Sequence, residues 1–166
     1  YLQEYIEQVE ETVKPPVCKN SVADVVCRRY IAMAGSEGIE TDVVADIPEQ
    51  LGVADGDLAV LLSNLWENAL EACQRQSTGE RYIKLRAQTT ENSLLISVAN
   101  SFDGVIRSQT GKDGEPVLFS LKRGGKEEGI GLASIRTIVG RYGGLHELEY
   151  DAERFGVKVL LYVMKG

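Results

Sequence analysis

Apolar residues recur along this chain at intervals that separate helices from strands by period alone. Leu58, Leu61, Leu62, Leu65, Ala69 and Ala72 step by three and four, the signature of a helix with one buried stripe. Leu2, Tyr5, Ile6, Val9 and Val13 repeat that spacing near the start, with Glu4, Glu7, Glu10 and Glu11 elsewhere. This first amphipathic face is too short to be stable alone, and Pro15-Pro16 stops it. A helix is predicted over about 21–34, ending at Gly35 or Gly38, followed by a strand over 39–44. Asp55-Gly56-Asp57 offers an N-cap for the leucine-striped helix.

The period then changes to two. Ile83, Leu85 and Ala87 alternate with Lys84, Arg86 and Gln88; after the turn Glu91-Asn92-Ser93, Leu94, Ile96, Val98 and Asn100 share one face. Asn100 therefore ends a strand on the face its apolar neighbours commit to the core. Residues 101–128 break the pattern with Gly104, Gly111, Gly114, Gly124 and Gly125, as a functional lid or a disordered segment would. Gly129-Ile130-Gly131-Leu132 opens another helix, with Leu132, Ile135, Ile138, Val139 and Tyr142 inward and Gly143-Gly144 at its end. Strands over about 145–150 and 156–163 finish the chain.

Chemistry first enters on the striped helix. Asn64 and Asn68 are four residues apart, so their amides point the same way along the border of the apolar stripe, beside Leu61 and Ala72. Asn is a mediocre helix former, so two at such a border need a reason. Either they form a buried polar network, or their amide oxygens ligate a hard cation or a phosphate. Downstream, a Gly-x-Gly at a helix start suits phosphate. The first turn leaves N–H groups unpaired with positive dipole character, and glycines let an anion approach. Lys122, Arg123 and Lys126 lie just before it, placed to contact phosphate or simply to solubilise the loop.

Length and composition narrow the class. The 166 residues suit one compact domain, and the net charge of −7 argues against a nucleic-acid partner. Cys18, Cys27 and Cys73 form no C-x-x-C pair, so they read as buried thiols and not as a zinc site or disulfide framework. No apolar run approaches a membrane span. Trp66 points away from the asparagine row and reads as core filling. Glu71 reads as a solvated helix charge, and the role of Glu67 stays open. His146, the one histidine, follows Gly143-Gly144 at a strand start and reads as an ordinary surface or strand residue.

The order of these parts resembles the GHKL ATPase superfamily, which takes in gyrase, heat-shock chaperones and histidine kinases. Asn64-Leu-Trp-Glu-Asn68-Ala-Leu-Glu-Ala72 looks like its N box, and Gly129-Ile-Gly131-Leu132-Ala-Ser-Ile135 like its second glycine box. Tyr142-Gly-Gly144 follows as in many histidine kinases. The N-box ending Asn-Ala-x-Glu-Ala and the upstream pattern Asn20…Asp24…Ala34…Gly38-Ile39…Ile47-Pro48 resemble the Agr-type quorum-sensing branch. The resemblance implies a two-layer α/β sandwich, the Bergerat fold of the α+β class. Its sheet is mixed and mostly antiparallel, with helices on one face and a glycine-rich ATP lid.

It implies as well that ATP and Mg²⁺ bind here, with Asn68 as the metal ligand. Asn64 occupies the catalytic position that is Glu in hydrolytic members; an amide cannot be a base, which favours transfer to a protein side chain. Gly129, Ile130, Gly131 and Leu132 match the phosphate-facing turn. Asn100 falls where the family has an adenine-reading Asp, with Asp103 as second choice. Two further departures are Val157, where many kinases have Thr, and Glu71, where many have a phosphate-contacting Lys.

The implied function is γ-phosphoryl donation to a histidine on a dimerisation domain outside this chain. Residues 1–14 would be a remnant of that domain's helix, and 15–166 the catalytic domain. The implied partners are a response regulator and a second copy in the full-length protein. The setting would be the cytoplasmic side of a membrane-anchored sensor. The alternatives are a non-catalytic GHKL module and an anti-sigma-type serine kinase.

Overall fold

The computed structural model describes residues 2–6, 16–106, 108–110, 116–118 and 130–163. Its elements are α1 (Ser21–Ser36), β1 (Glu40–Asp46), α2 (Asp55–Arg75), β2 (Tyr82–Thr89), β3 (Ser93–Ser101), β4 (Ser108–Thr110), β5 (Pro116–Leu118), α3 (Ile130–Arg141), β6 (Leu145–Tyr150) and β7 (Arg154–Tyr162). Five strands form one sheet in the order β1-β2-β3-β7-β6. Only the β1–β2 pair is parallel; β2–β3, β3–β7 and β6–β7 are antiparallel. Parallel neighbours need a crossover, and α2 is that crossover.

Strand alternation decides which face is covered. Ile83 and Leu85 on β2, Leu94 and Ile96 on β3, and Val159 and Leu161 on β7 are wholly buried. They form one core with Leu58, Leu61, Leu62 and Leu65 of α2, Ala23 and Cys27 of α1, and Ile135 and Ile138 of α3. Each buried Leu contributes about 2 kcal/mol by area. Trp66 is fully buried and stacks on Tyr30, with ring centroids 5.9 Å apart and planes within 7°. The expected sandwich, with helices on one face of a mixed sheet, is the one observed.

The upstream pattern that marked the resemblance turns out to be made of joints. Asn20 caps α1 by accepting the Ala23 N–H (3.0 Å), and its own amide donates to the Pro48 carbonyl beyond β1 (3.1 Å). At the other end Gly38 adopts φ 72°, and the Ile39 N–H returns to the Ala34 carbonyl (2.9 Å), a Schellman close. That bond is why β1 begins at Glu40, one residue later than the apolar pattern suggested.

Asp24 accepts the N–H groups of Val17 (2.6 Å) and Cys18 (3.1 Å) and pairs with Arg28 (3.0 Å). Burial pushes its carboxyl up, but the bonds from Cys18, Val17 and Arg28 together outweigh that and hold it below the usual 3.8. Its stabilisation is therefore fully present above the unfolded value and is lost as pH falls through the lower folded value. Asp24→Ala should cost ~1–2 kcal/mol at pH 7, with the gap to wild type narrowing once pH drops below 3.8. Urea midpoints at pH 7 and pH 3 check this; an equal gap at both would sink it.

Three expectations need correction. The N-cap of α2 is Ala54, with no side-chain cap bond; Asp55 is already helical and Asp57 lies within the first turn. Inside the segment read as loop, β4 and β5 pair as a two-stranded antiparallel ribbon, pinned by Ser108–Leu118 and Thr110–Pro116 register. The last strand starts at Arg154, because Asp151 accepts the N–H groups of Glu153 and Arg154 (both 2.8 Å) and turns the chain earlier than Gly156. Of the first predicted helix, residues 2–6 are helical, with Leu2, Tyr5 and Ile6 exposed; Val9 and Val13 lie outside the described residues.

Candidate functional site

The site grows from one stripe of α2. Asp57, Val60, Leu61, Asn64 and Asn68 recur at three and four, so they share a face. Leu61 is buried, while Asn64 and Asn68 are half-buried beside it. Among the described residues neither amide is drawn into a hydrogen bond, so no polar network explains the pair. Elsewhere on the helix, Tyr30 donates its hydroxyl to Glu67 (2.8 Å). Burial and that carboxylate hold the Tyr30 phenol above its ordinary value.

Beside this stripe lies α3. Tyr142, just past its end, donates its hydroxyl to Asp57 Oδ2 (2.7 Å) and accepts the Ala54 N–H (3.0 Å). Arg141 reaches the other oxygen of Asp57 at 2.6 Å. The stop of α3 is another Schellman close: Gly143 sits at φ 59° and the Gly144 N–H returns to the Val139 carbonyl (2.9 Å). The backbone at Ile130 and Gly131 is helical, and Leu132 packs on the core. Lys122 and Gly129 lie outside the described residues.

Asn100 is 3% exposed, on the core face of β3 as its alternation required. It pairs with Ile83 on one side and Phe155 on the other. One amide N–H donates to the Ser101 carbonyl (2.9 Å), which orients the group. Asp103 is different. It is exposed and accepts the Val105 N–H (2.9 Å) in a local turn. It borders a cleft of ≈ 760 Å³ with Tyr82, Ser101, Glu153 and Arg154, in which neither α2 asparagine takes part. The structure thus gathers Asn64 and Asn68 on one stripe beside α3, buries Asn100 in the core, and leaves Asp103 on the rim.

The chain leaving β3 is anchored. Phe102 donates its N–H to the Glu153 carbonyl (3.3 Å) and meets the Phe155 ring edge-on at 5.8 Å. Gly104 has φ 81°, and a Cβ there would lie 2.8 Å from the Ala152 carbonyl oxygen. Glycine is needed at that approach for both reasons.

Glu71 is not the solvated charge its helix position suggested. It is 8% exposed, because α2 is covered on nearly every side from Ala69 to Cys73. Val157 is buried in the strand opposite Val98 and brings no hydroxyl to the site. Cys18, Cys27 and Cys73 are free and buried, and burial pushes the Cys27 thiol up to about 11. His146 is exposed on β6. Asp57 and Tyr142 are the functional candidates that sequence reading assigned only to capping and core; their pairing across 85 residues has no local signal.

Can the stripe hold a metal? Among the described residues no group of three or more His, Cys, Asp or Glu is placed for one. Amide oxygens are hard donors suited to Mg²⁺, which takes few protein ligands and fills its octahedron from phosphate and water. Two half-buried amides without a hydrogen bond among the described residues fit that mode.

The model of the family described as the GHKL domain matches residues 54–162, from the N-cap of α2 to the end of β7. The sensor histidine kinase DpiB of Escherichia coli K12 is 31% identical over 114 residues, covering 69% of this chain and 20% of that protein. This chain thus spans about a fifth of that relative's length. Among solved structures, the catalytic domain of histidine kinase ThkA superposes with TM-score 0.63 at 18% identity, over 86% of this chain and 90% of its own. The mycobacterial sensor histidine kinase MprB gives 0.61 at 18%, over 86% and 92%. A histidine kinase from Burkholderia phymatum STM815 gives 0.63 at 16%, over 99% and 80%. Fold, motif order and family match agree: the chain belongs to the GHKL family.

Proposed function

We propose that this domain binds ATP with Mg²⁺ and donates the γ-phosphoryl group to a histidine side chain of a dimerisation domain lying outside the chain. The observation that carries the reading is the α2 stripe: two half-buried amides, unengaged among the described residues, alongside the helix that follows Gly129. Asn68 would hold the metal through its amide oxygen. Held there, it would supply neutralisation of phosphate charge. The N–H groups at the start of α3, over 129–132, would cradle phosphate, with Lys122 adding charge.

Asn100, oriented by Ser101, would accept from the adenine amino group through its carbonyl oxygen. Exposed Asp103 is the weaker candidate for that task. Asn64 offers no base, so water is not activated, and the acceptor is a side chain already nucleophilic, as neutral imidazole is. What the protein contributes is positioning and charge stabilisation, which supply most of the rate enhancement in phosphoryl transfer.

On this reading residues 1–14 continue a helix of the dimerisation domain, and 15–166 are the catalytic unit. The full protein would act as a dimer with a response regulator, its catalytic domain on the cytoplasmic side of a membrane-anchored sensor. Among the described residues no helix is long and apolar enough to cross a membrane.

Titration with ATP and Mg²⁺ tests the core of the proposal, with binding expected in the micromolar to low millimolar range. A specific observation favours a second reading, a non-catalytic GHKL module. Asn100 brings no charge to the adenine position and Val157 no supporting hydroxyl. Absence of binding at millimolar nucleotide would decide for that module. With the parent protein's upstream segment joined on, label from γ-³²P-ATP appearing on Ser or Thr in place of His would overturn the transfer step.

A further inference from the structure

The two helices of the site run side by side with a countable register. Asp57 meets Arg141 and Tyr142 at one end. A groove of ≈ 360 Å³ between them is lined by Asp57 and Val60 of α2 and by Ala133, Ser134, Thr137, Ile138 and Arg141 of α3. Since α2 returns the chain between parallel β1 and β2, and α3 turns directly into β6, which points opposite to them, the helices are antiparallel. From Asp57 to Asn68 is the same number of residues as from Arg141 back to Ile130. At 1.5 Å per residue both arms span about 16 Å. The joint at Asp57 thus fixes, from its far end, where Asn68 stands against the phosphate-facing turn.

The chemistry of that joint is unusual. In a capping box the third helical residue reaches back to the N-cap N–H. Here Asp57 holds that helical position, but the Ala54 N–H goes to the Tyr142 hydroxyl, which in turn donates a hydrogen bond to Asp57. The cap of α2 is completed by a side chain from the end of α3. The Tyr142 carbonyl also accepts the Tyr162 N–H (3.2 Å), tying the same residue to β7.

We propose that Tyr142 is a positioning residue for Mg·ATP: its hydroxyl, inserted between Ala54 and Asp57, sets the register of α3 against α2 and so the gap between Asn68 and the turn at 130–132. This rests on the kinase reading above. A ligand that engages both helices depends on that gap; a ligand that engages only the Asn100 end does not. Tyr142→Phe removes the hydroxyl and keeps the ring. It should weaken Mg·ATP binding about tenfold, leave adenosine binding unchanged, and be mimicked by Asp57→Ala. Asp57→Asn, which can still accept from the phenol, should stay near wild type.

A second measurement needs no nucleotide. Spin labels at Gln74→Cys on α2 and Thr137→Cys on α3 occupy exposed positions, whereas the native cysteines are buried. Their distance distribution should broaden in Tyr142→Phe. An unbroadened distribution overturns the proposal, as does equal weakening of Mg·ATP and adenosine, which would mean general loosening. If the wild type binds no nucleotide, the kinase reading falls, and the label distances still decide whether Tyr142 sets the register.

Discussion

Asn68→Ala is expected to lower affinity for ATP in the presence of Mg²⁺ by about a hundredfold, or ~2.7 kcal/mol. Affinity in EDTA should be unchanged. The difference arises because the side chain has one task in this structure. It is half-buried on the polar border of α2 and, among the described residues, holds no protein partner. Truncation therefore costs the fold little, and Ala is the better helix former. What disappears is a hard oxygen donor at a place where, among the described residues, no carboxylate or imidazole cluster can replace it. Calorimetric titration of both proteins with and without Mg²⁺ reads the effect directly. Equal Mg²⁺-dependent affinity in the two would remove Asn68 from the metal site.

Gly144→Ala is expected to be the most damaging glycine-to-alanine change among the described residues. A Cβ at Gly144 would overlap the Leu160 carbonyl oxygen and lie 3.2 Å from Leu161 Cα. Those are backbone atoms of β7, whose Leu160 is registered between Leu95 of β3 and Leu145 of β6, so neither side can yield without breaking ladder bonds. A loss of roughly 4 kcal/mol follows, lowering Tm by about 8–16 °C for a domain of this size. Gly143→Ala, at φ 59° with open space around it, should cost only ~1 kcal/mol. Gly140→Ala, on the exposed side of α3 with nothing within 4 Å, should stabilise by ~0.5–1 kcal/mol. Thermal unfolding followed by circular dichroism ranks the three. A Gly144 variant as stable as wild type would mean the close approach of this turn to β7 is not obligatory.

The parts of the fold legible in the sequence are those in which one period governs a whole element. The leucine stripe of α2, the alternation of β2 and β3 and the double glycine closing α3 each carry their own signal, and the structure contains all of them. Asn100 was legible for the same reason: parity along β3 commits it to the core face, where it is 3% exposed. Local reading fails where two distant segments share one task. Asp57 looks like capping chemistry for α2, but its partner is a phenol at the end of another helix. Glu71 looks solvated on a helical wheel, yet α2 is enclosed around it. The β4–β5 ribbon is three residues per strand, too short for alternation to register. Asp103, the second choice for adenine, is exposed and accepts the Val105 N–H in a local turn, a contact its residue type alone does not announce.

The helix carrying the asparagines is also the link between the two parallel strands of the sheet. Ligand chemistry and chain connectivity are thus written into one segment, and neither can drift without the other. A lineage can more readily rewrite the segment beyond the Phe102 and Gly104 anchors, whose described strands β4 and β5 pair with each other and hold no rung of the five-stranded ladder. It cannot discard α2 and still close the sheet. Loss of activity in such a family should therefore leave the N-box helix standing as a relic, while the connecting segment diverges or shrinks around it.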